Sequence, residues 1–225
     1  RNDLPVIYEM ECDSLMESSD LKRCEFGSDA AEHEAILIGD SVAGQWFSAF
    51  SGIAAWPDWR LTMLTKSSCP MVDQAHFYAR IGRRFEECEK WRDKVIVELS
   101  KTKPDLVIIS SAHSYPFSAT EWKEGTSRVL REISNHADSV VILRATPILP
   151  FDALDCLGNQ AWQKETFPLA LATDCSTISG NYFTGEDVYD ALKAASLPYE
   201  NVKVVDLNSL VGPGGVCAAT YSESI

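Results

Sequence analysis

The tripeptide Gly39-Asp40-Ser41 closes an apolar run at residues 35–39 and precedes a stretch, 42–50, that can begin a helix. A short apolar run reads as a buried strand, and Gly-Asp-Ser is a turn that lifts a serine off its end. At a helix start, unpaired backbone N–H groups and the positive end of the helix dipole converge. A nucleophilic serine needs that setting, because the oxyanion made by its attack must be held by fixed donors. The same tripeptide also serves as a plain turn with an Asp or Ser N-cap, so alone it does not decide for catalysis.

The elements that must position this serine follow from the hydrophobic pattern. Short apolar runs at 35–39, 60–65, 105–111, 139–145 and 202–206 read as strands. Between them Phe85, Cys88, Trp91, Val95 and Leu99 recur at helical spacing, as do Trp122, Thr126, Val129, Leu130 and Ile133. A third helix is expected over 186–195, before the turn at Pro198. The alternation predicts a three-layer α/β/α domain with a mainly parallel five-stranded sheet and helices on both faces. Residues 1–34 form an acidic, loop-like opening, and 35–225 form the α/β domain. The stretch 146–185 breaks the rhythm and reads as an insertion.

In an open parallel sheet, ligands bind beyond the carboxyl ends of the strands, where the winding reverses. Three polar segments follow strands here: Gly39-Asp40-Ser41, Thr65-Lys66-Ser67-Ser68-Cys69-Pro70, and Ser110-Ser111-Ala112-His113-Ser114-Tyr115. If the winding starts at the first strand, all three loops share one crevice. That promotes Ser41 from a turn residue to a site candidate.

Bulk properties narrow the class. At 225 residues the chain can bury one sizeable core. A net charge of −13 disfavours nucleic acid or an anionic membrane surface as the main partner. Seven cysteines fall into the couples Cys12 with Cys24, Cys69 with Cys88, and Cys156 with Cys175, leaving Cys217 over. Disulfides in an oxidising compartment are the first reading, buried thiols the alternative. No Cys-x-x-Cys or Cys/His cluster suggests a metal, and no nucleotide or other cofactor has support. The chain starts at Arg1, and a mature, processed or excised piece of a longer protein is expected.

The Gly-x-Ser-x-Gly elbow of α/β-hydrolases fails at Ala43. A better match begins with Ile36-Leu-Ile-Gly-Asp-Ser-Val-Ala-Gly-Gln-Trp46 and continues through Arg60-Leu-Thr-Met-Leu-Thr-Lys-Ser-Ser-Cys-Pro70. Cys88-Glu-Lys-Trp91, Pro104-Asp-Leu-Val-Ile-Ile-Ser-Ser111 and Cys156-Leu157 complete it. The ordered set, over residues 24–217, resembles the SGNH (GDSL-like) hydrolase superfamily. More narrowly, it resembles the extracytoplasmic C-terminal SGNH domain of bacterial acyltransferase-3 membrane O-acyltransferases.

The resemblance implies an SGNH or flavodoxin-like fold, lying outside the cytoplasm and tethered to a membrane acyltransferase domain of the same polypeptide. It implies O-acyl, and in particular O-acetyl, transfer from an acyl donor to a cell-envelope carbohydrate. A carbohydrate esterase or a non-catalytic glycan-docking module are the alternatives. Ser41 would be the nucleophile and first oxyanion N–H donor. Ser68 would stand where the superfamily offers a glycine N–H, and the third loop, which has no Asn, would offer His113 or a hydroxyl. Asp40, Trp46 and Ser111 are candidate substrate contacts, although an aromatic at position 46 is more often part of a core. Arg80, Arg83 and Arg84 form a small basic cluster that could meet an anionic glycan, but a solvated helix entrance is the first reading. The superfamily's base comes from a C-terminal Asp-x-x-His, whereas His33, His76, His113 and His136 are the only histidines of this chain. Either that segment follows just past residue 225, the favoured expectation, under which the 225 residues alone are expected to be inactive, or the domain is degenerate and binds without catalysing.

Overall fold

The structure, a computed structural model, describes residues 6–166, 175–178, 180 and 184–219. In chain order it contains β1 (Cys24–Gly27), β2 (His33–Gly39), α1 (Ser41–Gln45), α2 (Phe47–Phe50), β3 (Trp59–Thr65), and a hairpin of β4 (Phe77–Tyr78) and β5 (Arg83–Arg84). Then follow α3 (Glu86–Thr102), β6 (Leu106–Ser110), α4 (Ala119–Ile133), β7 (Ser139–Leu143), α5 (Ala153–Thr166) and β8 (Ser176–Ile178). The chain continues through α6 (Glu186–Ser196), β9 (Val202–Val205), α7 (Asn208–Val211) and β10 (Val216–Ala218).

The main sheet has the order β1-β3-β2-β6-β7-β9, with the five apolar runs parallel to one another. Its sixth strand corrects the reading of residues 1–34 as loop. Cys24–Gly27 pairs antiparallel with β3, Cys24 opposite Met63, and forms one edge. The order places β2 between β3 and β6, so successive connections leave β2 on opposite sides. This is the topological switch point of a doubly wound sheet, and Gly39-Asp40-Ser41 lies at its carboxyl end.

Both faces of the sheet are covered. Ile36, Ile38, Val107, Ile109, Val140 and Ile142 share a core with Trp91, Val95 and Leu99 of α3, and with Trp122, Val129, Leu130 and Ile133 of α4. Val188, Ala191, Leu192 and Ala195 of α6 complete it. These helical residues recur at three- and four-residue intervals, the spacing of one buried stripe. On the other face Ala35, Leu37, Leu61, Met63 and Ile108 are equally buried, and α1 packs against β2, β3 and β6. Each fully buried large apolar side chain contributes roughly 1.5–3 kcal/mol.

The helix ends follow local rules. Ser118 and Glu121 form a reciprocal capping box at the start of α4. α3 stops at Lys103, whose left-handed φ of 47° directs its N–H to the Leu99 carbonyl just before Pro104. The main sheet belongs to a compact unit of Pro5–Ala145 and Glu186–Val205. A second unit contains Thr146–Gly185 and Asp206–Ile225. In that unit β8 and β10 pair antiparallel, and Ala219 N–H bonds to the Cys175 carbonyl. Three disulfides are present: Cys12–Cys24, Cys69–Cys88 and Cys156–Cys175. Cys217 is buried as a thiol.

One titratable pair sits at the strand entrances, far along β2 from Ser41. His33 Nδ1 lies 2.8 Å from Asp105 Oδ1, and Asp105 Oδ2 accepts the Glu34 N–H at 2.8 Å. The Asp105 hydrogen bond holds the His33 imidazole above its ordinary 6.5. A base with a raised folded pKa adds stability below its unfolded value and loses it as pH rises through the folded value. His33→Gln is therefore expected to lower the denaturation midpoint at about pH 6 and to matter less at about pH 9. Urea denaturation of both proteins at the two pH values checks this.

Candidate active site

The turn at the end of β2 is set by three adjacent residues. Gly39 has φ +148°, and a Cβ there would run into the Ser110 carbonyl oxygen and lie 2.9 Å from the Ala43 Cβ. Only glycine lets β2 and β6 approach this closely beneath the serine. Asp40 is fully buried and caps α1, its Oδ1 accepting the Val42 N–H at 2.9 Å. Asp40 Oδ2 accepts the Ala112 N–H at 2.9 Å and the Tyr115 hydroxyl at 2.7 Å. Burial pushes the Asp40 carboxyl up, while these three donors favour the carboxylate. Burial, and the charge of Asp40 beside it, push the Tyr115 phenol well up, so it remains a donor.

Ser41 is half-buried and is the first residue of α1, where its N–H has no partner within the helix. Among the described residues its Oγ has no hydrogen-bond partner. The second loop comes alongside through the sheet: Gly39 pairs with Thr65, and Lys66 N–H bonds to the Gly39 carbonyl at 3.0 Å. Ser68 then takes φ +62°, the left-handed region that glycine prefers. Its Oγ donates to the Tyr78 hydroxyl at 3.1 Å, and the next residue is tied to α3 by Cys69–Cys88.

The third loop meets the other two at Gly39, which pairs with Ser110. Ser111 Oγ accepts the Met71 N–H at 3.1 Å and so joins the third loop to the second. His113 is buried, and burial together with the Arg144 charge pushes its imidazole down, against Asp187. Trp46 is half-buried, its ring centroid 6.3 Å from that of Phe50, and its indole N–H is buried without a partner. Arg83 bonds to both carboxyl oxygens of Glu87, and Arg84 bonds to Glu89, so these two charges are compensated on the surface.

Several neighbours of the loops carry no motif. Asp13 accepts the Ser67 N–H through both carboxyl oxygens at 3.1 Å, and Tyr8 Oη lies 3.1 Å from Ser67 Oγ. Lys66 is fully buried, with its ammonium donating to the carbonyls of Leu15 at 2.5 Å, Ser18 at 2.8 Å and Met16 at 3.3 Å. Burial lowers its pKa to about 8. His76 is buried against Phe85, Tyr115 and Phe117, and burial pushes its imidazole down. Among the described residues no group of three or more His, Cys, Asp or Glu could hold a metal ion. No described helix is long and apolar enough to cross a membrane.

Ser41 thus stands on a Gly-Asp-Ser turn at the switch point of the sheet, with two further loops ending beside Gly39. The chain belongs to the family described as SGNH domain (fused to AT3 domains), whose model matches residues 11–225. Its fold is shared by the periplasmic domain of the lipopolysaccharide acetyltransferase of Salmonella ser. Paratyphi A. That match has 13% identity, covers 88% of this chain and 74% of that one, and has a TM-score of 0.61. Two mutants of Axe2, an acetyl-xylooligosaccharide or acetylxylan esterase of Geobacillus stearothermophilus, match at TM-scores of 0.44 and 0.43. They are 13% and 12% identical, covering 81% and 84% of this chain and 81% and 88% of their own. No curated protein matches the chain.

Proposed function

We propose that this is an extracytoplasmic acyl-transfer domain in which Ser41 carries an acyl group, an acetyl in the simplest case, to a hydroxyl of a cell-envelope carbohydrate. Ser41 Oγ attacks the donor's carbonyl carbon, and its proton leaves with the donor's leaving group. The sugar hydroxyl then attacks the acyl-serine, its proton returns to Ser41, and the sugar ester departs. The observation that carries the reading is Ser41 at the start of α1, on a turn locked by Gly39 and by the three donors on Asp40. Family membership supports a membrane acyltransferase domain of the same polypeptide as the partner. The three disulfides and the periplasmic structural relative support a place outside the cytoplasm.

In this reading the Ser41 and Ser68 backbone N–H groups hold the oxyanion. The third loop contributes no Asn, and its Tyr115 hydroxyl is spent on Asp40. The general base belongs to the C-terminal Asp-x-x-His of the superfamily. The alternative from a different class is a glycan-docking module.

One assay separates the readings. The full-length protein is given an aryl acetate, with and without a carbohydrate acceptor. Transfer predicts that the acceptor diverts acetyl from water to sugar. Hydrolysis that no acceptor diverts would indicate an esterase, and no turnover at all would indicate docking.

The Ser68 role has its own test. Since the proposed donor is the backbone N–H, Ser68→Gly should keep most of the transfer rate. It should also stay within about 1 kcal/mol of the parent, because relief at φ +62° offsets the lost Tyr78 bond. Ser68→Val, β-branched in the left-handed region, should cost about 2 kcal/mol. Transfer assays and urea midpoints on the two variants check this pair of outcomes.

A further inference from the structure

We infer that residues 6–22 form the acceptor subsite of the crevice, shaped for a neutral or amino-bearing oligosaccharide, with Tyr8 joining that subsite to the serine loops. The inference rests on the reading of Ser41 as the acyl carrier and adds the location and charge preference of its acceptor.

The segment is fastened to the site at several points. Ile7 is fully buried, and a Cβ on Gly44, in the same short helix as Ser41, would lie 2.6 Å from the Ile7 Cδ1. Gly44 therefore admits the segment directly beneath α1 and places Tyr8 at the edge of the crevice. There the Tyr8 hydroxyl meets Ser67 Oγ at 3.1 Å, one residue before the proposed second oxyanion donor. Asp13 bridges to Thr65 in parallel fashion and takes the Ser67 N–H, and Ser14 N–H bonds to the Thr65 carbonyl at 2.8 Å. The Lys66 ammonium binds three carbonyls of residues 15–18, and Cys12–Cys24 ties the segment to β1. Six anchors of four different kinds hold a stretch with little regular structure of its own.

From Tyr8 an open groove of about 490 Å³ runs along the segment, within the range of small-ligand sites. Glu11, Asp13, Ser14 and Lys22 give it polar groups, and Leu15 and Met16 give it an apolar side. A sugar ring presents the same two characters, hydroxyls at its rim and C–H groups on its faces. The tyrosine ring offers a surface for those faces and its hydroxyl a partner for the rim. Two carboxylates against one ammonium, on a chain of net charge −13, oppose uronate or phosphate groups on the acceptor. Burial raises the Tyr8 phenol, with Asp13 and Asp40 adding to the effect, so the hydroxyl stays protonated and able to donate.

Binding is measured by calorimetry on the full-length protein carrying Ser41→Ala, so that catalysis plays no part. The probes are a chitosan tetramer, xylotetraose and tetragalacturonate. The first two are expected to bind and the third to bind at least about tenfold more weakly. Tyr8→Ala should weaken the two binders by about tenfold, and Glu11→Lys should narrow or invert the preference against the galacturonate. The inference is overturned if none of the three binds, if tetragalacturonate binds best, or if neither substitution changes the pattern. Should binding behave as expected while the protein with Ser41 intact never becomes acylated, the subsite stands and only the nucleophile assignment fails.

Discussion

Replacing Ser41 by alanine is expected to remove acyl transfer and ester hydrolysis, a fall of at least about 10³-fold in kcat/KM. The size follows from the proposed role, in which the acyl group is carried on Oγ and a residual rate has only binding and the oxyanion donors to draw on. The same change should leave the fold alone. Ser41 is half-buried, its Oγ has no hydrogen-bond partner among the described residues, and the cap of α1 comes from Asp40 rather than from the serine. The denaturation midpoint should therefore move by no more than about 0.5 kcal/mol. A functional collapse without a structural one marks a reacting atom. Loss of stability accompanying the loss of activity would instead make Ser41 a turn residue. Steady-state assays and urea titrations on the same preparations give both readouts.

Asp40→Ala should have the largest effect on stability among the site residues. Removing the carboxylate leaves the Val42 and Ala112 N–H groups and the Tyr115 hydroxyl without their acceptor at a fully buried position. An unsatisfied buried donor costs about 1–3 kcal/mol, and loss of an N-cap alone costs about 1, so a total of about 3–5 kcal/mol is expected. Asp40→Asn keeps one acceptor oxygen but turns an NH2 toward donors, and should fall between alanine and the parent. Tyr115→Phe removes one donor and leaves the carboxylate with two, at a cost of about 1 kcal/mol. The predicted order of destabilisation is Asp40→Ala, then Asp40→Asn, then Tyr115→Phe, read from denaturation with disulfides intact. Because Asp40 and Tyr115 fix the turn that presents Ser41, all three should also lower turnover. Equal stability across the series would mean that this buried network does not hold the turn.

The parts of this arrangement that can be read from the chain are those written in local pattern. Runs such as Leu106-Val-Ile-Ile109 have no amphipathic alternation, as suits strands covered on both faces. The helices α3 and α4 carry stripes at helical spacing, and the second also carries its Ser118 and Glu121 capping box. Gly39-Asp40-Ser41 at the end of the first such run locates the crevice once the winding is known. β1 escapes because Cys-Glu-Phe-Gly is a four-residue, partly exposed edge strand whose partner lies far along the chain.

The site's supporting residues escape for a related reason. Lys66 reads as a solvated loop lysine, and it is buried only because carbonyls about 50 positions earlier fold over it. Asp13 and Ser67 are separated by 54 positions, and Asp40 and Tyr115 by 75. Nothing local signals such pairs. The left-handed backbone of Ser68 is hidden for another reason, since a serine there does not announce a conformation that glycine would.

The most direct measurement is to locate the acyl group itself. The full-length protein is quenched in acid during turnover of an acetyl donor, then digested and mapped by mass spectrometry. One acetyl group is expected, on the peptide containing Gly39-Asp40-Ser41, assigned to Ser41 by fragmentation, released by hydroxylamine and absent from Ser41→Ala. Continued acetylation of carbohydrate by a protein whose Ser41 never carries the acetyl group would contradict it.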